Sequence, residues 1–180
     1  MKRYKYKEKD IPKLKERTIF FDANILLSIY FTINPHDWAQ INYSRVFAKL
    51  LDLGNRLIFD ITVVSEVVNR ALRMEHKAFL RKNKIDDGDL TYKDFRNSED
   101  GVLAWRKTRD MMCDVIFPKF NIIEKGWSKE EIEDTLNLQG DFNDLIVINL
   151  CNENNYVLLT NDSDFVNANI DVLSLNRAYF

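Results

Sequence analysis

Short apolar runs, each broken off at or beside an acid or an amide, constrain this chain most. Thr18 to Phe21, Leu57 to Phe59, Tyr156 to Thr160 and Asp171 to Leu175 have the length and residue types of buried strands. Helical stretches separate most of them. Strands alternating with helices predict an α/β fold, built on a parallel sheet with helices on both faces.

The intervening segments carry start and stop signals. Asn24 stands where it would cap a helix over Ile25 to Phe31, and Asn34-Pro35 reads as a second N-cap followed by a first helical proline. Trp38, Ile41, Phe47, Leu50 and Leu51 then recur at helical spacing, ending at Gly54 in the position of a C′ glycine. Thr62 is placed to cap a helix with an apolar face of Val63, Val67 and Leu72. Residues 73–135 are charged and read as helical, with a loop around KNKIDDGDL. Within them, Ser128 and Glu131 form a capping box. Gly140-Asp141 opens a last helix that runs to about Glu153.

At 180 residues the chain suits one domain with a good-sized core. Gly and Pro number only 5 and 3, which favours long regular elements over low-complexity sequence. Cys113 and Cys151 fit no disulfide framework and no metal-ligand spacing, so they read as reduced thiols of a cytoplasmic protein. No signal peptide is evident, and the run from Thr18 to Phe31, interrupted by Asp22 and Asn24, is too short to span a bilayer. Eight Lys and Arg against three acids give residues 1–17 a charge of +5, leaving −7 for the rest of a chain whose net charge is −2. That segment reads as a basic N-terminal arm, either solvated or touching nucleic acid, ahead of a domain over 18–176 and a disordered tail at 177–180.

Acids gather at the inferred carboxyl ends of the strands and at helix starts. They are Asp22 in IFFDANILL, Glu66 in VVSEVVNR, Asp141 and Asp144 in GDFNDLIVI, and Asp162 and Asp164 in LLTNDSDF. Parallel sheets bind ligands in the crevice at that edge. Clustered carboxylates raise one another's pKa unless a cation neutralises them, and Mg²⁺ or Mn²⁺ held by oxygens there would handle phosphates. Each acid also has a plain structural reading. Asp22 and Asp141 would cap helices, Asp144 would favour the helix dipole, Glu66 would pair with Arg70 one turn on, and Asp162 and Asp164 would shape a turn. His36 and His76 are placed as neither ligand nor base. No phosphate-binding glycine loop and no Ser-His-Asp or Cys-His arrangement occurs.

In order and context these motifs resemble the PIN-domain nucleases, especially the VapC-like toxins of bacterial toxin–antitoxin pairs. The likeness covers roughly residues 18–72 and 138–176. An apolar strand leads into Asp22-Ala23-Asn24, and Ser65-Glu66 lies on a helix after the second strand. Asp144-Leu145-Ile146-Val147 opens a later helix, and Thr160-Asn161-Asp162-Ser163-Asp164-Phe165 closes the set. Residues 73–135 exceed what a compact toxin needs and read as a helical insertion. Bulkier side chains replace the small alanines expected after Asp144.

The resemblance implies an α/β/α sandwich of PIN type and hydrolysis of RNA phosphodiesters with Mg²⁺ or Mn²⁺. Its candidate catalytic and metal-holding set is Asp22, Glu66, Asp144 and Asp162, with Asp141 and Asp164 as outer or structural acids. Asn24 and Thr160 would orient the carboxylates. Arg70, Arg73, Lys77, Arg81 and Lys82, together with the arm, are candidates to hold the RNA backbone, although an ordinary solvated helix face explains them equally well. An antitoxin protein is the implied partner of a toxin, residues 73–135 would serve a homodimer interface or an RNA groove, and no membrane is involved. Trp105, Met111 and Met112 in that stretch are expected in the core. Two other readings stand beside this one. A haloacid-dehalogenase-type phosphatase needs a second Asp where Asn24 stands, and a PIN scaffold without activity would bind RNA or protein through its surface.

Overall fold

The computed structural model describes residues 3–32, 34 and 36–180. Among these residues six strands form one all-parallel sheet in the order β1-β6-β5-β2-β3-β4. Its strands are β1 (Lys5–Tyr6), β2 (Ile19–Phe21), β3 (Leu57–Phe59), β4 (Asn121–Ile122), β5 (Val157–Leu159) and β6 (Asp171–Leu173). The three residues of each of β2, β3, β5 and β6 are all buried, as continuous apolar runs in a sheet covered on both faces must be. The fold class expected from the alternation of strands and helices is the one observed.

Among the described residues seven α-helices flank the sheet. They are α1 (Ala23–Tyr30), α2 (Trp38–Asp52), α3 (Ile61–Asn83), α4 (Tyr92–Asn97), α5 (Glu99–Asp110), α6 (Lys129–Leu136) and α7 (Phe142–Asn154). Helix α1 packs on α2 and α3, α3 extends to meet α4 and α5, and α6 lies on α7. The stretch 73–135 is therefore the second half of α3, then α4, α5, a π-helical turn over Met111–Ile116, β4 and α6. Gly101 permits the sharp join between α4 and α5, where a Cβ would stand 1.9 Å from the Phe95 carbonyl oxygen. The capping box of Ser128 and Glu131 is formed.

Several local expectations are corrected. The cap of α1 is at Asp22, not Asn24. The cap of α2 is Asp37 rather than Asn34, with Pro35 outside the described residues. Asp60 caps α3 by accepting from Val63 N, while Thr62 donates its hydroxyl to the same carboxylate at 2.7 Å. At α2 and α3 an acid just ahead of the helix caps it in place of the neutral residue expected, because its charge also meets the positive end of the helix dipole. Phe47 and Leu50 are buried as expected, but Trp38, Ile41 and Leu51 are exposed. Met112 is buried and Trp105 is not.

The termini differ most from their sequence reading. Residues 3–17 are not a free basic arm. Lys5 and Tyr6 pair in parallel with Val172 and Leu173, and a 3-10 helix over Glu8–Leu14, containing Pro12, buries Ile11 and Leu14. The basic side chains dock the segment. Lys5 Nζ donates to the carbonyls of Phe165 and Ala168 at 3.2 and 2.9 Å, and Arg17 pairs with buried Asp171 at 2.8 Å. Arg3 bonds the side chains of Asn152 and Asn155. Breaking a buried ion pair from one side costs about 3–5 kcal/mol. Because Arg17 keeps 26% exposure, Arg17→Ala is expected to cost about 2 kcal/mol, read as a lower denaturation midpoint. The last residues are not a disordered tail either. Arg177–Tyr179 form a 3-10 turn that buries Tyr179.

Candidate functional site

The sheet changes direction at β2. From there the chain moves to β3 on one side and returns later to β5 on the other, which makes the β2–β5 edge a topological switch point. The pairing of Phe21 with Leu159 brings Asp22 beside Thr160 just past the two strand ends. Asp22 holds the N-cap position of α1 in an extended conformation, yet its side chain caps nothing. Its Oδ2 accepts from Thr160 Oγ1 and from Asn24 Nδ2, each at 2.5 Å. The Thr160 hydroxyl in turn accepts from Asn24 Nδ2 at 3.1 Å and from Asp162 N at 2.9 Å. Asn24 and Thr160 thus orient Asp22, the arrangement expected of residues that fix a carboxylate rotamer.

The turn after β5 is held from several sides. Asn24 Oδ1 accepts from Asn161 N at 3.2 Å, and Asp162 Oδ1 accepts from Asp164 N at 3.1 Å. The buried Tyr43 hydroxyl donates to Asn161 Oδ1 at 2.9 Å and accepts from Leu175 N. Asn176 Nδ2 reaches Asn161 O at 2.8 Å, and the Tyr179 hydroxyl donates to the Asp162 carbonyl. Sequence reasoning missed Tyr43, Asn161, Asn176 and Tyr179. Tyr43 lies inside an amphipathic helical pattern, and Tyr179 lies in a segment with no pattern at all. Burial pushes both phenols above their ordinary pKa.

The remaining acids divide by role. Asp141 caps α7, its Oδ1 accepting from Asn143 N at 2.9 Å and Asp144 N at 3.4 Å. Asp144 follows in the first turn, half-buried. Asp162 and Asp164 are exposed. Glu66, on α3, pairs with Arg70 at 2.8 Å, as an i,i+4 contact predicts. Arg70, Arg73, Lys77 and Arg81 are exposed along one stripe of α3, and Arg73 stacks its guanidinium 4.6 Å from the Tyr92 ring centre. Lys82 falls outside that stripe.

Electrostatics ties the acids into one group. Burial pushes the Asp144 carboxyl up to about 7, and the charges of Asp141, Asp22, Asp162 and Asp164 push it the same way. Burial raises Asp22 to about 6 against the lowering effect of its Thr160 hydrogen bond, with Glu66 and Asp162 adding to the rise. Among the described residues no Lys or Arg forms an ion pair with Asp22, Asp144 or Asp162. Nor do any three His, Cys, Asp or Glu side chains among them gather closely enough to cage an ion. The six acids predicted as a metal set are therefore an open group rather than a closed cage. Hard oxygen donors that lack a counter-charge fit Mg²⁺ or Mn²⁺, which take one or two carboxylates and keep several waters.

A pH dependence follows. A carboxyl whose folded pKa lies above its ordinary value keeps a proton in the native state that the unfolded chain has already released. Stability of the metal-free protein therefore falls as pH rises from about 4 through about 6 for Asp22 and about 7 for Asp144. Thermal melts at pH 5 and pH 8 should show wild type losing more than the Asp22→Asn/Asp144→Asn double variant, with Mg²⁺ shrinking the difference. Equal pH slopes would remove the coupling.

No family model matches the chain, and no curated protein matches it. Among solved structures it is similar to the crystal structure of VapBC2 from Rickettsia felis bound to a DNA fragment from their promoter. The two share 15% identity with a TM-score of 0.52, over 87% of this chain and 98% of that one. At this identity the likeness shows the fold. It is the α/β arrangement of a parallel sheet and flanking helices. No helix among the described residues is long and apolar enough to cross a membrane.

Proposed function

We propose that this chain is a ribonuclease that hydrolyses RNA phosphodiesters with Mg²⁺ or Mn²⁺, and that it acts as the toxin of a toxin–antitoxin pair. One observation carries the reading. At the carboxyl edge of the sheet Asp22, Asp144 and Asp162 act on one another electrostatically, the first two have raised pKa values, and among the described residues no Lys or Arg forms an ion pair with any of the three.

Asp22 and Asp144 are the assigned metal-holding carboxylates, with Asp162 beside them and Glu66 orienting the attacking water. Asn24 and Thr160 keep Asp22 turned out of its capping role. A bound cation would lower the pKa of a water and stabilise charge on the phosphate. Arg70 and the α3 stripe would hold the backbone of the RNA against the repulsion of the acids. Likeness to a protein of a VapBC complex supports an antitoxin as partner.

The Glu66–Arg70 ion pair and the open spacing of the acids favour a second reading, a scaffold that binds RNA or protein without cutting. The phosphatase reading loses support, since the Asn24 amide is committed to Asp22 where that chemistry needs an acid. Incubating purified protein with a labelled mixed RNA pool and Mg²⁺ or Mn²⁺ decides between nuclease and scaffold. Cutting that a chelator abolishes supports the nuclease, and intact RNA with folded, metal-loaded protein leaves the scaffold.

A further inference from the structure

Three of the helices begin with the same two-residue device. Asp37 caps α2 and is followed by Trp38; Asp60 caps α3 and is followed by Ile61; Asp141 caps α7 and is followed by Phe142. Each cap accepts backbone N–H groups from its own first turn, which fixes the backbone and turns the next side chain outward. Those side chains are 56%, 69% and 38% exposed.

Single exposed apolar residues need no explanation. These three open helices that start at the same, carboxyl edge of the parallel sheet. Ile61 stands two residues past the end of β3, the strand beside β2, and Phe142 lies between Asp141 and Asp144. Trp38 packs edge-on against Tyr43, ring centres 6.4 Å apart at 89°, and Tyr43 holds the turn that carries Asp162. Trp38, through Tyr43, and Phe142, between Asp141 and Asp144, thus place two exposed aromatic rings as a rim to the acidic group. From Glu66 within that group the basic stripe of Arg70, Arg73, Lys77 and Arg81 runs along α3 for about 22 Å at the helical rise.

A flat exposed ring at the edge of a phosphate-handling site, with a cationic track leading away, matches the two faces of a single nucleic-acid strand. Bases stack on aromatic rings regardless of sequence, while phosphates follow the positive track. A paired duplex hides the faces of its bases and gains nothing from the rings. We propose that Trp38 and Phe142 are stacking platforms for unpaired bases of a single-stranded RNA. This rests on the ribonuclease reading for where the strand is cut, but not for whether it binds.

The test is fluorescence anisotropy of a labelled, unstructured single-stranded RNA with the full chain in chelator, where nothing is cut. Trp38→Ala and Phe142→Ala should each weaken binding about tenfold, and the pair about a hundredfold, as loss of one stacked base apiece predicts. Trp38→Phe should keep most of the affinity. Trp105→Ala, at a tryptophan 51% exposed on α5, should change nothing. Circular dichroism confirms that each variant is folded, and Trp38→Phe carries the test if Trp38→Ala is not, because its native fluorescence should then no longer be quenched by RNA as strongly as wild type. Unchanged affinity in both alanine variants overturns the proposal, as does an equal loss on a fully paired duplex. Absence of any RNA binding by wild type also overturns it and assigns the rim to a protein partner. Rim-dependent binding without cutting in Mg²⁺ upholds the platform and removes the nuclease, whereas cutting with rim-independent binding does the reverse.

Discussion

Asp144→Asn is expected to lower RNA cleavage by roughly a thousandfold, because a metal-held phosphate gains several kcal/mol of charge stabilisation and each ~1.4 kcal/mol is a factor of ten. The substitution keeps the size and helix position of the side chain. It removes a charge that four neighbouring acids oppose and that burial has already pushed up to about 7. The variant should accordingly melt at the same temperature as wild type or higher when metal-free, and calorimetry should show weaker Mn²⁺ binding. Asp141→Asn serves as the contrast. Asn is also a good N-cap, so α7 should survive, and an acid committed to capping should matter far less for cleavage. Full activity in Asp144→Asn would end its assignment, and a collapse of stability would mean that the residue is structural.

The largest effect on stability is expected at Phe120. Its ring packs edge-on to Phe21 at 4.9 Å, stacks on Phe47 at 5.8 Å and leans on Phe59 at 5.1 Å. Phe21 immediately precedes Asp22, so this cluster lies directly behind the candidate site. Removing a buried phenylalanine costs about 3–5 kcal/mol through lost burial and the cavity left behind. For a domain of this size that is a fall of roughly 10 °C or more in melting temperature. Phe120→Leu should lose much less. A shift of only a degree or two in Phe120→Ala would mean that the cluster repacks freely and that β4, which follows it, is not anchored by it.

Much of the candidate site's layout was legible because its residues are placed by local signals. Asp22, Asp144, Asp162 and Thr160 each sit one to three residues from a strand or helix boundary that apolar runs mark plainly. The hydrogen bonds of Asn24 and Thr160 to Asp22 follow once β2 and β5 are neighbours. The structural readings also held for particular acids. Asp141 is a cap and Glu66 pairs with Arg70, as charge spacing on a helix allows. The N-terminal segment was misread for a definite reason. Lysines and a proline suggest a solvated arm, but Ile11 and Leu14 needed a long-range surface to bury against, and Lys5 and Arg17 needed carbonyls and Asp171 from the far end of the chain.

Sequence by itself determined the alternation of strands and helices, the capping box at Ser128, the buried runs of the central strands and the acids at their ends. These depend on periodicity, propensity and neighbours a few residues away. Only the tertiary structure decided that β1 joins β6, that Tyr43, Asn176 and Tyr179 clamp the Asp162 turn, and that Trp38 points outward. The β1–β6 pairing and the reach of Tyr43 to Asn161 join surfaces more than a hundred residues apart, and even Asn176 and Tyr179 find their partners only through the way the C-terminal segment folds back, which no local pattern records.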